Sequence, residues 1–393
     1  MPAGGRHCDV LVVGAGPAGL SLALSLAALG LHVAVVERQD QAAIAAPRDD
    51  GREIALTHGS MRILRAFGAA EGWGPEEAAP IRAAQVLNGR SARFLNFRAG
   101  ADGCGPLGWL VANHRIRRAL YRCARAEPRI ELLCGRRIVE QAADARRAAL
   151  RTEADGWLTA SLLVAADSRH SETRRALGIS ARMQDFGRTM LVMRAAHTRP
   201  HAGTALEWFD HGHTIAALPL HGERSSIVLT VPAARAERLA ALAPAQFEQR
   251  LNRWLSHRLG ALRLCSGIHR YPLVAVHADR FVGPRFALVG DAAVGMHPVT
   301  AHGFNFGLSG QGLLSAALAG DLRAGRAIGS DSALALYQRQ HRRRTWPLYH
   351  ATNAIARLYS GDSSPARLAR EVTMGLGARI APFRRAVVRE LRS

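Results

Sequence analysis

Residues Cys8–Arg38 read CDVLVVGAGPAGLSLALSLAALGLHVAVVER. The apolar run Val10–Val13 leads into Gly14, Gly16 and Gly19, and an Ala/Leu stretch then ends at Gly30. A second apolar run, Val33–Val36, stops at Glu37. The pattern predicts a strand, a tight turn, a helix and a parallel strand with an acid at its end. A unit of this kind suits a dinucleotide. Gly14 allows the sharp turn, Gly16 lets a pyrophosphate approach the backbone just before Pro17 and Ala18 open the helix, and Gly19 lets helix and strand pack closely. Free N–H groups at the helix start hold the phosphate charge, and Glu37 can accept hydrogen bonds from ribose hydroxyls. The unit by itself does not separate NAD from FAD.

At 393 residues the chain predicts about two domains and a substantial core. A hydrophobic content of 48% and a mean hydropathy of −0.03 are ordinary for a soluble globular enzyme. The longest apolar stretches, Gly16–Leu31 among them, are too short and too interrupted to span a bilayer. No basic leader precedes the first strand, so no signal peptide is expected and the cytoplasm is the expected compartment. Cys8, Cys104, Cys123, Cys134 and Cys265 follow no metal-ligand spacing, so no metal site is expected, and their odd number suits reduced thiols.

The formal net charge is +21, with arginine supplying all 52 Lys+Arg positions. Arg-rich codon usage accounts for spread charge, whereas attraction to an anionic membrane surface needs clusters. Clusters stand at His341–Arg344 and Arg384–Arg392, the second with the spacing of a basic amphipathic helix. No finger, RNA-recognition or basic-zipper pattern accompanies them, so nucleic acid is not an expected partner.

Along the chain, Asp50–Leu56 (DGREIAL) leads into a helix with Met61, Leu64 and Phe67 on one stripe. Residues 80–99 alternate as a hairpin, Arg115–Ala126 has helical spacing, and Ile130–Leu133 and Leu162–Ala165 read as strands. From Met190 to Val231 the chain reads as paired strands, and Leu239–Leu262 regains helical spacing. The second deciding stretch lies about 270 residues beyond the first turn, at Arg285–Ala293 (RFALVGDAA). Its buried strand ends in Gly290-Asp291, which sets a carboxylate to accept hydrogen bonds from a sugar-alcohol chain. FAD has such a chain in its ribityl linker; NAD has none. Downstream, His297-Pro298 and Ala301–Asn305 (AHGFN) precede a long helix from about Phe304 to Leu322. The electropositive start of that helix favours negative charge on the edge of a reduced flavin.

GAGPAGL, DGREIAL, LVAADSRHSETRR, YPL and GDAAVGMHPVTAHGFNFGL together resemble the single-component FAD-dependent aromatic hydroxylases, the class A flavin monooxygenases. Within these the chain is most similar to the bacterial ubiquinone-biosynthesis ring hydroxylases, particularly the demethoxyubiquinol hydroxylase branch. The motifs run in the family's order from residue 10 to residue 310. The resemblance implies an α/β fold: a Rossmann-like FAD-binding domain of the para-hydroxybenzoate hydroxylase type, interrupted by a mostly antiparallel β-sheet substrate domain and followed by C-terminal helices. Residues 1–79, 100–182 and 270–335 are expected to form the FAD-binding domain. Residues 80–99 and 183–269 are expected to form the substrate domain, and 336–393 a helical, basic C-terminal segment.

The resemblance also implies roles. Gly14, Gly16 and Gly19 hold the FAD pyrophosphate, Glu37 the adenosine ribose, and Arg38 and Arg52 lie along the adenine and phosphate half. Arg115 or Arg118 contacts the FAD linker, Asp167 belongs to a second cofactor fingerprint, and Gly290-Asp291 binds ribityl. Pro298, Gly303, Phe304 and Asn305 edge the isoalloxazine. Departures from the family pattern are Ser168 for the Gly of Asp-Gly, Val294 for the His of GDAAH, His302 for the Gln of GQG, and Gly310 for an Asp near the start of the last long helix.

The implied reaction is monooxygenation. FAD reduced by NAD(P)H or another donor reacts with O₂ to a C4a-hydroperoxide, whose distal oxygen passes to an electron-rich quinol ring of a ubiquinone precursor. That chemistry needs a dry, shaped pocket and no protein nucleophile. The sheet over 190–230, with Trp208 and Phe209, is expected to roof the pocket, and His297 and His302 are candidates for proton movement beside the flavin. A prenylated substrate places the enzyme peripherally on the inner face of the cytoplasmic membrane, through its basic C-terminus, or within a quinone-biosynthesis complex. Three alternatives use the same scaffold: a secondary-metabolite aromatic hydroxylase, a flavin reductase saturating prenyl chains, and a non-enzymatic flavin-binding component of a biosynthetic complex.

Overall fold

The computed structural model describes residues 6–89, 94–98, 105–210, 212–297 and 303–360. Strand Arg6–Val13 lies at the middle of an eight-stranded sheet. It pairs in parallel with Val33–Val36 on one side and Gly156–Ala165 on the other. Ile130–Leu133 and Phe286–Leu288 add a parallel strand at either flank. These are near-continuous apolar runs because both sheet faces are covered; Val10, Leu11, Val12, Leu162, Leu163 and Leu288 have no exposed surface.

Register decides where the chain turns. Val13 pairs with Ala165, and Ala165 with Leu288, so three strands end level. The ladder continues one bond further: Ala166 N–H donates to Val13 C=O at 2.8 Å and Val289 N–H to Ala165 C=O at 2.9 Å. Gly14, Asp167 and Gly290 therefore leave the sheet side by side along one edge. Helix Pro17–Ala27 packs against helices Asn113–Ala126 and Gly303–Arg323. Tyr337, fully buried on the following helix Asp331–Ser360, donates its hydroxyl to Leu288 C=O at 2.6 Å and fixes the end of the last strand.

The second layer is a nine-stranded sheet built on the 17-residue strand Ala181–His197. That strand runs antiparallel to Arg224–Pro232 and to His269–Ala278. His213–Pro219, Thr204–Asp210 and the hairpin pair Ala83–Asn88 and Phe94–Arg98 continue the order. Side chains alternate in period two. Leu191, Met193, Leu206, Trp208, Ile227 and Leu229 form one core with residues of helices Ala233–Ala240 and Pro244–Trp254. Their neighbours in sequence face the first sheet. A three-stranded sheet of Glu53–Leu56, Ala78–Ile81 and Gly108–Ala112 carries the chain from one layer to the other and back.

Strand His269–Ala278, expected inside the FAD-binding segment 270–335, pairs instead with Ala181–His197 in the large sheet. The helical stretch expected over Leu239–Leu262 breaks at Pro244, which opens a second helix, and ends in the short strand Leu262–Leu264. Ile138–Ala143 and Ala148–Thr152 form an additional hairpin on the first sheet. Part of the His341–Arg344 cluster has structural work: His341 is buried, Arg342 donates to Asp279 C=O at 3.0 Å and Arg344 to Ser309 Oγ at 3.1 Å. The Arg384–Arg392 segment lies outside the described residues.

The tightest packing is at the first turn. Gly14 has φ +105°, where glycine is favoured, and a Cβ at Gly19 would collide with the Gly14 carbonyl oxygen. Gly19→Ala is therefore expected to push the helix off the strand, costing about 1–3 kcal/mol and releasing FAD. Thermal melting and the flavin absorbance of the dialysed protein measure both effects.

Candidate functional site

Between the two sheets lies a cavity of about 940 Å³, within the usual range for ligand sites. Gly14, Gly16, Pro17, Ala18, Glu37 and Arg38 wall one end. Helix Pro17–Ala27 begins there without a capping side chain and without an acid in its first turn. Its free N–H groups open onto space, since a Cβ at Gly16 would meet no atom within 4 Å. The Glu37 carboxylate is set by its own backbone surroundings, accepting from Ala15 N–H and Gln39 N–H at 2.8 Å each.

Gly290, Asp291, Gly303, Phe304 and His297 wall the other end. Gly290 takes φ +60°, and a Cβ there would press to 2.8 Å on the Ala18 Cβ, so the two cofactor turns approach closely. Arg169 pairs with the Asp291 carboxylate at 3.0 Å and donates its other arm to Val274 C=O at 3.0 Å. Buried Arg174 donates to Ala292 C=O at 3.0 Å and to Arg169 C=O at 3.2 Å. These two arginines hold the Asp291 turn in place. Sequence reading quoted the segment that carries them but gave neither a role, because arginine is too abundant here for any one to stand out.

Between the ends, Arg52 pairs with Asp50 at 2.6 Å and lies 5.2 Å from the Tyr271 ring centroid. Asp167 lines the cavity but spends its oxygens on the next helix, accepting from Ser171 Oγ at 2.5 Å and Thr173 N–H at 3.1 Å. Asn305 turns away, accepting from Thr57 N–H at 3.2 Å and donating to Ala55 C=O at 2.8 Å. Neither Arg115 nor Arg118 lines the cavity, and Arg115 pairs with Glu77 at 3.0 Å. Asn113 and Arg117 of the same helix do line it, with Arg117 donating to Gln39 at 3.2 Å. Each residue along a helix turns the side chain by about 100°, so Arg117 lies about 200° from Arg115 and about 100° from Arg118. Pro298 and His302 lie outside the described residues.

The roof of the cavity is the inner face of the nine-stranded sheet. Two registered rows cross it: Val192, Val228, Ala216 and Glu207, and beside them Met190, Thr230, Thr214 and Phe209. Burial raises the Glu207 carboxyl to about 8. Burial and then the Arg188 charge push His297 down to about 4, so its ring is neutral at physiological pH. Edge-on packing against Phe186, 4.8 Å between centroids, fixes the ring's orientation.

The family profile described as "FAD binding domain" matches residues 7–352. The chain belongs to that family. It is 42% identical to the ubiquinone hydroxylase UbiM of Neisseria meningitidis over 98% of this chain and 84% of that protein. It is 35% identical to the ubiquinone hydroxylase UbiL of Rhodospirillum rubrum, over 98% of this chain and 89% of that protein. The crystal structure of PqsL, a probable FAD-dependent monooxygenase from Pseudomonas aeruginosa, superposes with a TM-score of 0.78 over 93% of this chain and 99% of that one, at 24% identity, which speaks for the fold.

The protein is thus an FAD-dependent monooxygenase of the ubiquinone-hydroxylase group. Its site suits FAD on physical grounds: an uncapped helix start with open space for a pyrophosphate, and carboxylates at both ends for ribose and ribityl hydroxyls. Three departures from the family pattern have local explanations. Ser168 keeps the glycine-like backbone with φ +100°. Val294 is buried in a two-residue strand paired with His277. Gly310 makes room for His341, whose ring a Cβ would meet at 2.7 Å.

The helix register has a direct test. Arg117→Ala is expected to weaken FAD retention about tenfold through loss of a charged donor at the cavity wall, while Arg115→Ala leaves it unchanged. Titration of apoprotein with FAD, followed by flavin fluorescence, distinguishes the two variants.

Proposed function

We propose that this flavin monooxygenase hydroxylates the ring of a prenylated ubiquinone precursor, with demethoxyubiquinol as the first candidate. The observation that carries the reading is the continuity of the cavity, from the first helix start, past Asp291, to a mostly apolar roof on the second sheet. The names of the 42% and 35% identical relatives supply the substrate class. Bound FAD, reduced by NAD(P)H or another donor, supplies an electrophilic oxygen atom from O₂.

The chain's own residues do the remaining work. The helix start at Gly16 and the Glu37 and Asp291 carboxylates hold the two ends of the cofactor. Helix Gly303–Arg323 meets the cavity at Gly303 and Phe304 with no acid in its first turn, so its positive end favours an anionic flavin edge. Met190, Val192, Phe209, Ala216, Leu218 and Val228 exclude water from the space above, which limits loss of activated oxygen as peroxide. His297, neutral and clamped by Phe186, offers a hydrogen bond without adding charge.

Substrate-dependent oxygen uptake by the purified holoenzyme, with mass-spectrometric product analysis using ¹⁸O₂, tests the reading. The expected result is one labelled oxygen on the quinol ring per oxygen consumed. A saturated prenyl chain without label indicates a reductase, and no substrate-dependent uptake indicates a non-enzymatic flavin protein.

We further propose that the enzyme meets its substrate at an anionic membrane surface through the basic residues 384–392. No helix among the described residues is long and apolar enough to cross a membrane. In vesicle flotation with anionic lipid, the full chain is expected to float and a chain ending at Arg370 to remain below. Equal flotation of both removes the segment from this role.

A further inference from the structure

Glu207 is the one acid in the two rows of side chains that roof the cavity. Its registered partners across the sheet are Ala216 and, through it, Val228 and Val192; on the other side it faces Val86 of the neighbouring strand. Its sequence neighbours Leu206 and Trp208 point to the opposite face and pack in the second core, so strand alternation commits Glu207 to the cavity. Its partial exposure is exposure to the cavity. No described residue gives it a hydrogen bond or an ion pair, and burial alone raises its carboxyl to about 8.

A carboxyl group in this position works against folding. An unpaired polar group buried among apolar side chains is costly, and an apolar residue of similar size would serve the fold better. Groups kept at such a cost are characteristic of binding sites, where the ligand supplies the missing partner. Of the other ionisable groups that line the cavity, Arg188 belongs to the same large sheet, and His297 is neutral. Neither stands in the two rows across the roof.

We propose that Glu207 is the residue that recognises a ring hydroxyl of the substrate: a carboxyl oxygen accepts the hydroxyl O–H and orients the ring beneath the sheet. The proposal rests on the quinol reading above and adds its specificity determinant. It makes the pocket selective for a free ring hydroxyl over the same ring carrying a methyl ether, because the ether has no proton to donate: it can take the acid's own O–H but leaves the acceptor oxygen of the carboxyl unpaired. Glu207 and Phe209 alternate on one strand, so the hydroxyl and the ring face are read by the same element.

The test is equilibrium binding to the oxidised holoenzyme under anaerobic conditions, read from the flavin absorbance change. The ligands are a short-chain prenylated demethoxyquinol and its dimethyl ether. The wild type is expected to prefer the quinol about tenfold. Glu207→Gln, which keeps a carbonyl acceptor, is expected to retain most of that preference. Glu207→Leu is expected to bind both ligands alike and to melt at a higher temperature than the wild type. Preference retained by Glu207→Leu overturns the proposal, as does a lowered melting temperature in that variant, which would make Glu207 a structural group. A wild type that binds both ligands without preference overturns the Glu207 assignment and leaves the quinol reading standing. A wild type that binds neither overturns the quinol reading itself.

Discussion

Three parallel strands that end at one level are the constraint on which the rest of this molecule depends. Val13, Ala165 and Leu288 are registered partners although they are far apart in the chain, and each strand is buried on both faces. Slipping any of them by one residue would exchange its two faces and move the following turn along the sheet edge. The level ends bring Gly14, Asp167 and Gly290 into one crevice, the carboxyl-end position where open α/β sheets bind ligands. The contact of Gly290 with Ala18 then sets how closely the two cofactor turns approach.

The second sheet is held to the first by charge as well as by burial. Arg194 on the long strand reaches Asp49 at 2.5 Å and Glu53 at 2.7 Å, bridging the sheets at the DGRE segment. Burial opposes ionisation of both acids, and the outcomes differ. Hydrogen bonds from Arg194 and Gly51 N–H overcome it at Asp49 and hold that carboxyl at about 2, whereas at Glu53 burial wins and the pKa is raised. Tyr271 donates to Asp50 C=O at 2.6 Å, and Asn113 donates to the Asp50 carboxylate at 2.8 Å. Such a network fixes orientation more than it adds stability, because desolvation offsets much of the Coulomb gain. Orientation is what a cavity walled by two separate sheets needs, because its shape depends on how they face each other.

Legibility in the sequence followed from how local the cause was. The first strand–turn–helix–strand unit has its hydrophobic period, its glycines and its terminal acid within 31 residues, and the structure reproduces it element by element. Asp291 stood out in the sequence as a carboxylate directly after a buried strand and a glycine, and the structure places it on the cavity wall. Arg169 and Arg174 were given no role because their importance lies in the backbone carbonyls and the carboxylate they reach, which belong to a segment more than a hundred residues away. Arg115 and Arg118 were expected in place of Arg117 because helical spacing defines faces, while the face turned to the cavity depends on packing against the neighbouring helices. Strand His269–Ala278 escaped notice because its pairing partner, not its composition, makes it a strand of the large sheet.

Taken alone, the amino-acid order determined the fold class, the strand–turn–helix–strand unit and the choice of flavin over nicotinamide, and it singled out Glu37 and Asp291, which the structure places on the wall of the cavity. Each of these rests on short-range periodicity, or on a residue type whose chemistry is narrow wherever it is placed. Only the tertiary structure decided which arginines serve the site, how the two sheets face each other and that an acid stands in the apolar roof. Glu207 in sequence is one polar residue in an alternating strand, indistinguishable from a solvent-facing position. It becomes a cavity group because helices cover one side of that strand and the FAD-binding layer stands across the cavity on the other, so the carboxyl faces the cavity and not the outer surface.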